Sequence, residues 1–162
     1  MKNIILSIGL LFATALSTAQ NVFQASGERN VLRTELPKYT KIDIDSRWEV
    51  TLVNEKNDHI YIDADNAIHP IIKATVEEGT LKISLETPKG VNFVQTGGIK
   101  LKIPIKGTTE LKMQSGKIRS EEPINMPSYK MLLDFLSEID LKLNINDLDL
   151  EIGSCREGNL QL

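Results

Sequence analysis

Residues 41 to 52 alternate with a period of two, and that alternation limits what the chain can become. Ile42, Ile44, Trp48, Val50 and Leu52 occupy even positions, with Lys41, Asp43, Asp45, Glu49 and Thr51 between them. A period of two places one set of side chains in a core and the other in water, as in a half-buried strand. His59 to Ala64 repeats it with Ile60, Ile62 and Ala64. Ile72, Ala74 and Val76 then lead into Glu77-Glu78-Gly79-Thr80, and Leu81, Ile83 and Leu85 lead out, which predicts a hairpin. The class is all-β.

The start of the chain addresses its compartment. Lys2 gives a basic start, Ile4 to Leu16 is an apolar run, and Ser17-Thr18-Ala19 supplies the small residues a signal peptidase reads. The run is shorter than the ~20 residues a membrane-spanning helix needs. Residues 1–19 therefore read as a signal peptide, 20–38 as an N-terminal extension and 39–162 as one β domain. The expected location is the periplasm, the outer surface or the extracellular space, with no membrane span once the signal is removed. A net charge of −3 argues against nucleic acid and against an anionic membrane surface as partners. Cys155 is the only cysteine, so no internal disulfide can form, and it reads as a small buried hydrophobe.

Beyond residue 85 the chain is punctuated by Pro88, Gly90, Gly97 and Gly98, so 86–98 reads as a loop. Ile99, Leu101 and Ile103 restore strand character, and Pro104 is expected to stop or edge that ladder. From Thr109 a repeat emerges. Met113, Leu133 and Ile152 stand 20 and 19 residues apart, each followed by a corner sequence: Gln114-Ser115-Gly116, Asp134-Phe135-Leu136-Ser137 and Gly153-Ser154. A period near 20 suggests a solenoid whose coils bury their apolar sides on one another, and corners at these intervals fit a β-helix. Ile139 to Ile145 run at odd positions and Leu148 to Ile152 at even ones, so a turn or bulge is expected within Asn144–Asp147.

Tyr39 to Leu85, then Ile99 to Pro104 and Leu111 to Gly116, resemble the head GIN domain family, described as a putative auto-transporter adhesin head. That resemblance implies an exported cell-envelope protein of unknown function with a right-handed β-helix-like fold, and it brings no catalytic or binding residues. Two segments depart from the pattern: Ser46 to Val50 replaces a Gly-Ile-Asn-Val-like stretch, and the second corner has Leu136-Ser137 in place of serine-glycine. Family members usually continue beyond the third coil, so the expected solenoid is short or incomplete at its C-terminus.

Reactive chemistry is sparse. His59 and His69 are the only histidines, with no recognised nucleophile motif, and neither zinc spacing nor a phosphate-binding glycine loop occurs. No catalytic residue, cofactor or metal ligand is assigned. Asp63-Ala64-Asp65-Asn66 lacks the glycine and the downstream acid of a calcium loop and reads as outward acids at a strand end. Glu138 and Glu157, one repeat apart, are the weak enzyme alternative. Strands ~4.8 Å apart would bring their carboxyls near the ~5 Å of a retaining glycosidase. Ser137 above Arg156 and an aromatic content of 5% favour plain charge balancing instead. Trp48 shares the core parity. Tyr61, out of phase with Ile60 and Ile62, and Phe93, in the glycine-flanked loop, are the surface-contact candidates. The expected function is an adhesin-like binding or structural module, with a surface glycan or an envelope protein as partner. The alternatives are a polysaccharide-active enzyme and a unit that self-associates through the strand edge near Leu160 and Leu162.

Overall fold

Alternation does build strands throughout. The computed structural model describes residues 21–162, so the signal-peptide reading of residues 1–19 lies outside it. Twelve strands follow: β1 (Val22–Gln24), β2 (Arg29–Glu35), β3 (Lys41–Lys56), β4 (His59–Asp65), β5 (Ile72–Glu77), β6 (Thr80–Leu85), β7 (Phe93–Gln95), β8 (Lys100–Lys106), β9 (Glu110–Ser120), β10 (Ile124–Leu133), β11 (Leu136–Ile152) and β12 (Gly158–Gln161). One short 3-10 turn, His69–Ile71, carries Pro70 at its start. Among the described residues no helix is long and apolar enough to cross a membrane.

The main sheet runs β12-β11-β10-β9-β3-β8-β4-β2, and the β5–β6 hairpin joins it through β6 on β3. β2, β4 and β8 pair antiparallel, whereas β3, β9, β10, β11 and β12 pair parallel. Met113 faces Leu133, and Leu133 faces Ile152, so residues about one repeat apart are direct cross-strand neighbours. The register turns the alternation into columns of apolar side chains. Leu81, Ile42, Leu111, Met131 and Leu150 form one such column, strand by strand. Leu101, Val50, Ile118 and Ile139 form another. The two merge in a single buried cluster around Trp48 and Tyr39.

The β5–β6 hairpin turns at Glu78 and Gly79, whose φ values of 50° and 74° give the left-handed pair that a two-residue turn needs. Gly116 is fixed more tightly. Its φ is 118°, and an added Cβ would lie 2.0 Å from the Trp48 carbonyl oxygen, so β9 and β3 approach closely only because this residue is glycine.

Several expectations are corrected. The 86–98 loop contains β7, which pairs parallel with β1 in a separate two-stranded sheet. Of the two roles expected for it, Pro104 edges the ladder and does not stop β8, which runs through it to Lys106 with Pro104 opposite Val53. The β4 pairing ends at Lys102, so no ladder bond is sought from the missing proline N–H on that side. Asn144–Asp147 contains no register slip. Burial changes phase there, yet β10 changes phase at the same level around Pro127, and the offset between the strands holds across the corner. When both strands bend together, neither needs an extra residue. Asp65 is not an outward acid: it is 1% exposed. Cys155 is half-buried, bridged to Leu136 by the backbone, with its thiol donating to the Glu157 carbonyl at 3.0 Å. The 20–38 segment contributes β2, which pairs with β4 over seven residues.

Candidate functional site

Parallel register aligns outward residues as strictly as inward ones. The polar triplets Glu49-Val50-Thr51, Lys100-Leu101-Lys102 and Lys117-Ile118-Arg119 sit side by side on β3, β8 and β9. Two rows therefore cross the sheet. In the first, Asp63, Lys100, Glu49, Lys117 and Glu138 alternate in sign from strand to strand. Opposite charges facing across strands are mutually favourable, and Lys117 meets Glu138 at 2.7 Å. The hydrogen bond and charge of Glu138 raise the Lys117 pKa above its ordinary value. In the second row stand Tyr61, Lys102, Thr51, Arg119 and Asp140.

The second row carries the relief of the surface. Thr51 is short and buried between the long side chains of Lys102 and Arg119. A trough of about 340 Å³ opens there, bounded by Tyr61, Lys102, Arg119 and Glu121. A second, of about 120 Å³, continues from it towards Lys117 and Glu138, and the two share Lys100, Thr51 and Arg119. Arg119 Nε donates to Thr51 Oγ1 at 2.9 Å, which holds the guanidinium by one edge. Lys102 lies 3.6 Å from Glu121 and 3.9 Å from Glu55.

The predicted contact residues separate. Tyr61 lines the larger trough, half-buried, with its ring edge-on to His59 at 5.1 Å between centroids. Phe93 is 61% exposed on the separate β1–β7 ladder. Glu138 lies on β11 and Glu157 in the bend just before β12, brought alongside by the Ile139 N–H, which donates to the Glu157 carbonyl at 2.9 Å. Glu138 is engaged by Lys117, whose ammonium also feels Glu157.

Two acid-centred arrangements have structural roles that sequence reasoning did not supply. Burial alone would push the Asp65 carboxyl up. It is overruled by hydrogen bonds from the Ser26 and Ala67 N–H groups, the Ser26 hydroxyl and the Gly27 N–H, which hold its pKa down at about 2. With its oxygens so occupied, Asp65 fastens the segment before β2 to the end of β4. His59 is buried, with Nδ1 2.7 Å from Asp58 Oδ1, and that hydrogen bond lowers the Asp58 pKa. Its Nε2 has no hydrogen-bond partner, and Glu55 Oε2 lies 3.4 Å away. The groups facing the imidazole are carboxylates and a phenol rather than an aligned hydroxyl nucleophile. Among the described residues no group of three or more His, Cys, Asp or Glu is arranged to hold a metal ion.

A family model described as "Putative auto-transporter adhesin, head GIN domain" matches residues 38–161. No curated protein matches the chain. Solved structures share the fold, among them the following three. One is a "putative adhesin" from Parabacteroides merdae, with 16% identity, TM-score 0.59, and coverage of 86% of this chain and 69% of the other. A "putative lipid binding protein" from Parabacteroides distasonis has 18% identity, TM-score 0.63, and coverage of 86% and 62%. A "putative adhesin" from Bacteroides fragilis has 16% identity, TM-score 0.61, and coverage of 85% and 60%. The chain thus spans less than two thirds of the length of the latter two.

Proposed function

The chain belongs to the head GIN domain family of "putative auto-transporter adhesin" heads, and from that premise we propose that it is an exported, adhesin-like binding module of the cell envelope. We read the stacked parallel ladders as a β-helix-like solenoid, with β3, β9, β10, β11 and β12 as its coils and the β4–β8 region as its N-terminal strand and hairpin part. The observation that carries the functional reading is the trough at Thr51. It is the place where a half-buried aromatic ring, Tyr61, meets a row of outward polar side chains held in fixed register. A rigid sheet face loses little conformational freedom on binding, so recognition by shape and side-chain rows is inexpensive there. Tyr61 supplies apolar area with a polar tip, and the surrounding cations and acids supply orientation.

The same geometry argues for binding over turnover. In a glycan-cleaving pair one carboxyl must reach the glycosidic oxygen as the acid, whereas the Glu138 carboxylate is engaged by the Lys117 ammonium at 2.7 Å. One structural relative is a "putative lipid binding protein", but the charged side chains that line this trough do not suit an acyl chain. The test is a glycan and envelope-polymer array probed with the protein and with Tyr61→Ala, reading retention and cleavage products together. Retention that Tyr61→Ala weakens, without products, supports the module. Products that vanish in Glu138→Gln or Glu157→Gln would replace it with the enzyme.

A further inference from the structure

Charge in the trough is unevenly committed. Asp63 pairs with Arg29 at 3.0 Å, Lys117 with Glu138 at 2.7 Å, and Lys102 stands between Glu55 and Glu121. Among the described residues, Arg119 and Lys100 form no ion pair. Arg119, which lines the trough, is the better anchored of the two, because its Nε donates to the hydroxyl of buried Thr51 while its terminal amino groups make no hydrogen bond among the described residues. A guanidinium fixed on one edge presents a planar fork matched to a carboxylate, and little further ordering is needed to use it.

The rest of the lining narrows the ligand. Tyr61 lies three strands from Arg119, ~14 Å along the sheet, which is longer than one sugar ring. A bare inorganic anion would use Arg119, leave Tyr61 idle and meet repulsion from Glu55 and Glu121. A neutral sugar would use Tyr61 and those acids, whose oxygens accept from hydroxyls, but would leave the guanidinium fork unanswered. An extended ligand with both a carboxylate and a polyhydroxylated ring answers all of them. Resting on the binding-module reading above, we infer that the trough takes an acidic oligosaccharide, with a uronate carboxylate on Arg119 and a pyranose face on Tyr61.

The experiment is calorimetry on the protein with oligomers of galacturonate and of glucuronate, each paired with its carboxyl-reduced form of equal length. At least one acidic oligomer should bind about tenfold or more tighter than its reduced counterpart, the scale of a charged hydrogen-bonded contact. Arg119→Lys should erase that preference, since an ammonium has no fork. Thr51→Val, nearly isosteric, should reduce it by releasing the guanidinium from its anchor. Tyr61→Ala should weaken acidic and reduced oligomers alike. Equal affinity for both forms, or a preference that survives Arg119→Lys, overturns the inference and leaves glycan binding standing. Binding of none of the oligomers also overturns it, and the array then decides separately whether the module reading survives.

Discussion

The middle of the sheet and its C-terminal edge follow the same alternation yet reach different states of burial. In β3, β8 and β9, inward residues such as Ile44, Leu52, Ile103 and Met113 are buried completely, because each strand has neighbours on both sides. Along the second half of β11, Leu148 and Leu150 are half-buried and Ile152 is 42% exposed, while Leu160 on β12 is 37% exposed. Alternation reports which way a side chain points. Burial also needs a neighbouring strand beside it, and β12 covers only Ile139 to Lys142 of β11. Stability should therefore fall from the centre of the stack to that end.

The largest expected loss comes from the centre. Gly116→Ala places a Cβ 2.0 Å from the Trp48 carbonyl oxygen and 2.7 Å from its amide nitrogen, at a φ of 118°. Both obstacles are backbone, so β3 and β9 must separate. We expect a cost of about 4 kcal/mol or more in urea unfolding, the range reserved for disruptive substitutions. An unchanged midpoint would mean that the β3–β9 approach does not set the register of the stack. Gly153 offers the contrast, because an added Cβ there meets the Asp134 side-chain oxygen, which can rotate away.

A matched pair within one column sharpens the comparison. Leu133 and Ile152 face each other across β10 and β11, but Leu133 is 2% exposed. Leu133→Ala should cost about 2–5 kcal/mol and Ile152→Ala about 1 kcal/mol, since a half-open site has less contact to lose. Equal costs would show that Ile152 is covered in solution, and light scattering would then reveal whether a second copy covers it.

These contrasts also explain what the sequence could and could not disclose. Ile42, Ile44, Trp48, Val50 and Leu52 share one parity and look like a single flat strand. The structure instead puts a bulge between Ile44 and Arg47, with Ser46 at a φ of 76°. β9 crosses the same level in one residue fewer, and its buried positions change from Leu111 and Met113 to Gly116 and Ile118. A corner shifts the phase by one and the extra residue shifts it again, so in β3 the two cancel and leave no trace in the pattern. β11 repeats the device, with an extra residue relative to β9 between Leu136 and Glu138, and the period near 20 was legible because Met113, Leu133 and Ile152 still face one another at nearly equal spacing. At the candidate site, Tyr61 was visible as the residue out of phase. Thr51, Lys102 and Arg119 were not, because only the register between strands some 50 to 70 residues apart makes them neighbours. The three polar-apolar-polar triplets were the available signal. Asp65 was missed for the same reason: three of its donors come from Ser26 and Gly27, across 38 or 39 residues.

Asp65 yields the next effect, confined to the start of the sheet. Its carboxyl is held at about 2, below the ~3.9 of an unfolded aspartate. A depressed acid stabilises the fold above the unfolded value, and that contribution fades as pH falls from about 4 to about 2. Asp65→Asn should therefore lower the urea midpoint at neutral pH, and the gap from the original protein should close across that window. It should also hasten proteolytic nicking around Ser26–Glu28, where the segment before β2 loses its fastening. A gap that stays constant down to about pH 2 would assign the effect to packing rather than to charge.

The smallest effect should come from the charged rows, and it tests whether they or the apolar columns hold the parallel strands together. Lys41, Glu110, Lys130 and Asp149 alternate in sign on β3, β9, β10 and β11, with Lys130 3.0 Å from Asp149 and Lys41 3.3 Å from Glu110. The Asp149 hydrogen bond and charge raise the Lys130 pKa, so the contact is fully formed at neutral pH and is lost only as pH climbs past the ordinary lysine range. Both partners are largely in water, where such pairs contribute little and salt screens them. Lys130→Gln should hence move the midpoint far less than Leu133→Ala, and molar salt should remove most of the shift. A comparable loss that persists in salt would mean that the strands are held by their charged rows. The exposed end at β11 and β12 would then be as firmly tied as the buried centre, because alternating charge, unlike burial, does not depend on a further strand alongside.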